Sequence, residues 1–142
     1  MNFLGFDIIA SGLTAQRLRM DVISSNIANV NTTRTPEGGP YKKKIVVFQE
    51  KLRGLISSPF SQDVSVGGVR VVGIYNSKEP PLLVYQPDHP DADENGYVAL
   101  PNINIVSEMT DMISATRAYE ANINVLNLSR SMFLRALDII RV

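Results

Sequence analysis

The residues best placed to do chemistry cluster in one stretch. Asp91-Ala92-Asp93-Glu94-Asn95-Gly96 matches the first half of a calcium loop, D-x-D-x-N-G. The twelfth position should carry a bidentate Glu, yet it is Asn102, and the entering side is rich in proline. The stretch therefore reads as an acidic turn leading into a short strand. His89 lies beside it, in Pro87-Asp88-His89-Pro90-Asp91. A histidine among carboxylates could titrate or act as a base. No nucleophile pairs with it along the chain, and the flanking prolines suit a stiff turn. Lys42-Lys43-Lys44 could grip phosphate, but on a strand these side chains alternate faces. They read instead as a solvated edge or an intersubunit charge contact. Gly67, Gly68 and Gly73 match no phosphate-loop spacing, and no Ser-His-Asp elbow is present. No enzyme activity and no cofactor are expected.

Composition narrows the classes further. The chain has 142 residues, 44% of them apolar, enough for one ordinary domain with a core. It has no cysteine, which removes disulfides, thiol nucleophiles and thiolate metal sites. A single histidine excludes a multi-histidine centre within one chain. Fourteen basic and fourteen acidic residues balance to zero, which argues against a general nucleic-acid binder; no small-molecule substrate is expected either. The charge is nevertheless polarised. Residues 1–31 are neutral; residues 32–61 carry six bases and two acids, net +4; residues 62–142 carry six bases and ten acids, net −4. Such polarity is a usual solvated-surface pattern; it would also suit subunits that stack head to tail. Met1 to Ala10 is apolar but interrupted by Asp7 and preceded by no basic region, so no cleavable signal peptide is expected.

Two long helices must frame these residues. Phe6, Ile9, Leu13, Gln16, Met20, Ile23, Ile27 and Val30 recur at alternating steps of three and four, an a/d seam about 25 residues long. Asn31 is a candidate left-handed cap behind it. A second seam runs Ile105, Met109, Met112, Thr116, Tyr119, Ile123, Leu126, Arg130, Phe133, Leu137 and Ile140. Asn104 can cap its start, Glu108 and Asp111 suit the helix dipole there, and Ala115 would let a neighbour approach closely. The Asn residues on both helices suggest amides bonding between packed helices. The middle, residues 32–102, holds most of the proline and glycine. Tyr41–Phe48, Val69–Tyr75, Leu82–Tyr85 and Gly96–Leu100 read as short strands separated by turns. The expected fold is α+β: terminal helices forming a coiled-coil-like inner layer, with a small β-rich middle domain. About seventy residues of insert cannot bury two such seams. The helices must pair with each other or with copies from other chains.

Two runs carry a resemblance. Ala10-Ser11-Gly12-Leu13-Thr14-Ala15-Gln16-Arg17 with Ser25-Asn26-Ile27-Ala28-Asn29-Val30-Asn31-Thr32 resembles the N-terminal signature of bacterial flagellar rod and hook proteins. Glu108-Met109-Thr110-Asp111-Met112-Ile113-Ser114-Ala115-Thr116-Arg117-Ala118-Tyr119-Glu120-Ala121-Asn122 resembles their second signature. Between them, Gly39-Pro40-Tyr41 and His89-Pro90-Asp91-Ala92-Asp93-Glu94-Asn95-Gly96-Tyr97-Val98, leading to Pro101-Asn102, look like the short proximal-rod branch. The resemblance implies an axial subunit of the flagellum, exported without a cleaved signal. It also implies helical assembly with proximal and distal rod proteins, from the inner-membrane ring and export apparatus outwards, with self-association in the rod. The expected organisation is an assembly helix over 1–32, a β-rich domain over 33–102 and a second assembly helix over 103–142. The expected assembly interface is Phe6, Ile9, Leu13, Met20, Ile23, Ile27 and Val30 with Met109, Met112, Tyr119, Ile123, Leu126, Phe133 and Leu137. A secreted coiled-coil adaptor or effector that binds a partner helix is the alternative; only the terminal helices support it.

Overall fold

A computed structural model describes residues 4–51 and 67–140. Arg53 of the basic stretch and Arg141 lie outside the described residues. Helix α1 spans Leu4–Ala28 and helix α2 spans Ile105–Ile140. Between them lie β1 (Lys44–Glu50), β2 (Val69–Asn76), β3 (Leu82–Tyr85) and β4 (Tyr97–Leu100), making the chain α+β.

Local chemistry explains where the helices stop. The Asn104 side chain accepts from the backbone N–H groups of Val106 (3.0 Å) and Ser107 (3.2 Å), so two of the first free donors of α2 are satisfied. At the end of α1 the Asn29 amide donates to the Ser25 carbonyl at 2.8 Å, turning the chain out of the helix. Thr116 and Ser131 donate to carbonyls four residues back, a bond that keeps hydroxyls quiet within a helix.

The helices pack against each other antiparallel. Contacts pair Gly12 with Asn122, Met20 with Thr116 and Asn26 with Glu108, so numbers rise along α1 as they fall along α2. Small residues make the approach close: Ala15 and Ala115 are buried, and a Cβ on Gly12 would sit 3.3 Å from the Asn122 amide. This register carries the last turns of the longer α2 past Leu4.

The strands form two separate antiparallel pairs, β1 with β2 and β3 with β4. The first is a ribbon lying along α1, tied near one end where Asn26 binds Lys44 and at the other where the Val69 N–H donates to Ser11 Oγ at 3.1 Å. Its register shifts between Val47 and Phe48, leaving Val72 as the extra residue. Gly68 has a positive φ of 151°, which L side chains rarely adopt, and a Cβ there would meet Ser11 Oγ at 2.9 Å, so glycine suits the point where the ribbon reaches the helix. In the second pair Gly96 adopts φ 79° under the Tyr85 ring.

Little of this is core. Among the described residues Ala15, Val22, Ile23, Val98 and Ala115 are the buried apolar side chains.

Candidate assembly interface

The predicted seam residues do not all lie between the two helices. On α1, Ile23 is buried, while Phe6, Ile9, Leu13, Met20, Ile27 and Val30 are half-buried. On α2, Met112, Tyr119, Ile123, Leu126 and Phe133 are half-buried, Met109 is 54% exposed and Leu137 37%. A strict seven-residue repeat drifts about 20° per heptad around a straight helix. Over a helix this long the stripe therefore passes from the facing helix to its flank. The contact line itself includes Gly12, Ala15, Ile23 and Asn26 against Glu108, Ala115 and Asn122.

Two further exposed apolar trios lie on α2, and of their residues the seam read from the sequence includes Met109 alone. Val106, Met109 and Ile113 are 73%, 54% and 56% exposed, and Val125, Leu128 and Met132 are 48%, 62% and 64%. Each trio follows i, i+3, i+7, so each forms one face of the helix. The signal was present as that spacing, but the heptad seam beside it masked it. Contiguous exposed apolar faces of this kind mark interaction surfaces.

Where the helices meet the ribbon, a polar node fastens three elements. Asn26, 1% exposed, uses its whole amide. Its nitrogen donates to the Lys44 carbonyl at 2.9 Å and to Glu108 Oε2 at 3.0 Å. Its oxygen accepts from the Lys44 N–H at 2.9 Å and from the Tyr41 hydroxyl at 3.1 Å. Asn26 thus pairs with the β1 backbone as a strand residue would, though it belongs to a helix. Glu108 is equally buried, and its other oxygen meets Lys43 Nζ at 2.8 Å. A buried carboxylate is tolerated because it is both ion-paired and hydrogen-bonded, near the positive end of α2. Beside it Arg19 and Asp111 form a more exposed bridge at 3.1 Å. The sequence placed Lys43 at a solvated edge or subunit contact; in the fold its ammonium is bound within the chain. Lys44 instead lies over the Tyr41 ring at 5.6 Å.

The acidic turn is occupied by its own backbone. Asp93 Oδ1 accepts from the N–H groups of Asn95 and Tyr97, both at 2.9 Å. Asp91 accepts from the Thr33 hydroxyl at 2.8 Å, and the Asp91 N–H donates to His89 Nδ1 at 3.1 Å. His89 is thereby a turn residue. Among the described residues no group of three or more His, Asp or Glu comes together that could hold a metal ion. No described helix is long and apolar enough to cross a membrane.

Comparison with known proteins fits this geometry. Residues 6–34 match the family described as flagella basal body rod protein. Residues 94–139 match the C-terminal family of the flagellar basal body rod FlgEFG proteins. The two matches cover most of both helices and, ahead of α2, the end of the acidic turn with β4. The chain is 51% identical to the flagellar basal-body rod protein FlgC of Borreliella burgdorferi, over 98% of this chain and 97% of that one. It is 44% identical to FlgC of Salmonella typhimurium over 94% of each chain, and 42% identical to FlgC of Bacillus subtilis over 96% and 97%. With such identity running from α1 through the ribbon to α2, the chain belongs to the flagellar basal-body rod protein FlgC family.

Proposed function

We propose that this chain builds the proximal rod, stacking helically so that torque passes through helix-on-helix contacts. It is a structural subunit of the flagellar basal body that associates with other rod components and with itself. The observation that carries the finer reading is the exposed apolar row Val125, Leu128 and Met132 on the far half of α2. Burying one large apolar side chain is worth about 1.5–3 kcal/mol. Such contacts repeated between subunits would stiffen a shaft. A heterologous contact repeats without closing, as a rod requires. The expected interface of Phe6, Ile9, Leu13, Met20, Ile23, Ile27 and Val30 with Met109, Met112, Tyr119, Ile123, Leu126, Phe133 and Leu137 would complete these contacts along the helix pair. Residues 1–32 and 103–142 would form the assembly layer, and 33–102 the outer β-rich domain. At its base the rod would meet the inner-membrane ring and export apparatus, reached by export without a cleaved signal peptide. The role requires no catalysis.

Leu128→Asp tests this reading. The side chain is already 62% exposed, so the isolated chain should keep its melting temperature. Cells carrying the variant should lose it from purified basal bodies and lose motility. Normal motility with the variant present in the rod would remove this row from the subunit contacts, and absence of the unaltered chain from basal bodies would remove the reading.

A further inference from the structure

We propose that the outer face of the β1–β2 ribbon of one copy seats on the outer face of the β3–β4 hairpin of the next. The proposal rests on the self-assembly read above and names one of its surfaces.

Each face exposes apolar side chains. On the ribbon, Ile45 pairs with Tyr75 and Val47 with Gly73, so all four share one side. Val47 and Tyr75 are 40% and 53% exposed, whereas Val46 and Phe48 of the opposite side line a cleft with Val22 and Ile23 of α1; Ile45, 45% exposed, also borders that cleft. The Tyr75 ring lies across Gly73, where a Cβ would meet it at 3.2 Å. On the hairpin, Leu83 pairs with Ala99 and Tyr85 with Tyr97. Leu83 and Tyr85 are 65% and 63% exposed, and Val98 of the opposite side is buried. The two tyrosine rings meet edge to face at 5.4 Å, and Tyr85 covers Gly96 as Tyr75 covers Gly73. A two-stranded sheet with one face uncovered is marginal in water, so both pairs gain by being covered.

Charge selects the occupant. Residues 42–51 and 67–76 carry Lys42, Lys44, Lys51 and Arg70 against Glu50, four minus one, net +3, with Lys43 left out because Glu108 of the same chain binds it. Residues 82–100 carry Asp88, Asp91, Asp93 and Glu94 with no Lys or Arg, net −4. A ribbon facing another ribbon, or a hairpin another hairpin, would oppose like charges. The ribbon of one copy on the hairpin of another matches both charge and apolar area. The contact uses different patches on the two copies, so it propagates.

The chain has no cysteine, so introduced ones report cleanly. Val47→Cys and Leu83→Cys are combined in one chain and oxidised within isolated basal bodies. The expected result is a ladder of disulfide-linked multimers of this chain, with neither single variant giving any. Lys42→Glu with Lys51→Glu should cut the ladder about tenfold, and adding Asp88→Lys with Glu94→Lys should restore it. A merely structural defect would not be restored by a second reversal. Basal bodies that contain the double-cysteine chain but yield no ladder overturn this contact and leave the rod reading standing. The same holds if the only product is an adduct to a different rod protein or a bond within one chain. Absence of the chain from basal bodies, with the cysteine-free chain absent too, removes the rod reading and this contact with it.

Discussion

The two ends of the helix pair are held by opposite means. Where α1 ends and α2 begins, Asn26, Glu108 and Lys43 are joined by bonds of 2.8–3.0 Å that leave no amide or carboxylate oxygen of the pair unbonded. Toward the other end, α2 runs past Leu4 and shows Leu128 and Met132 to solvent. Polar bonds demand particular partners at particular distances, so the closed end fixes the register between the helices and the ribbon within one chain. Apolar contact is non-directional, so the open end can accept a neighbour without being satisfied beforehand. The chain thus places its directional bonds where it must fold and, on the proposed assembly, would leave its exposed apolar surface for a neighbour.

The sharpest way to break this contrast is Asn26→Ala. It leaves both polar groups of Lys44 and one oxygen of Glu108 without their partner. At about 1–3 kcal/mol for each buried group left unpaired, a loss of about 3–4 kcal/mol is expected in chemical denaturation. A loss below 1 kcal/mol would show that the closed end is not held by this node. Lys43→Met comes next. It strands the buried carboxylate, and a loss of about 2–3 kcal/mol is expected, below the fully buried case because Lys43 is itself 29% exposed. Glu108→Gln in the Lys43→Met background should recover part of that loss, since no charge is then left unpaired. An unchanged or larger deficit would rule out the charge as the cause. Ala115→Leu tests the close approach at the middle of the pair, where Ala115 is fully buried. Overpacking there should cost about 1–3 kcal/mol. At the open end Leu128→Ser should change the stability of the isolated chain by less than about 0.5 kcal/mol. A larger drop would mean that the open end is a core after all.

Much of this architecture was legible in advance because it depends on local pattern. Alternating three- and four-residue spacing calls for long helices, Asn104 caps one of them, and proline and glycine divide the short strands. The terminal signatures were legible as a family resemblance for the same reason, being continuous runs. The node was not legible. Asn26 was visible only as one of several helix amides, and Glu108 only as an acid suited to a helix start. That they meet across 82 positions of sequence depends on the antiparallel register. Lys43 likewise looked like one of three surface lysines, because nothing local says which of them turns inward.

The sequence by itself determined that this protein would be two long amphipathic helices around a β-rich insert, since apolar periodicity and turn chemistry act over a few residues. Only the tertiary structure decided which stripe faces inward. A helix of this length offers several candidate faces, and small residues such as Gly12, Ala15 and Ala115, weak in any hydrophobic pattern, allow the backbones to meet.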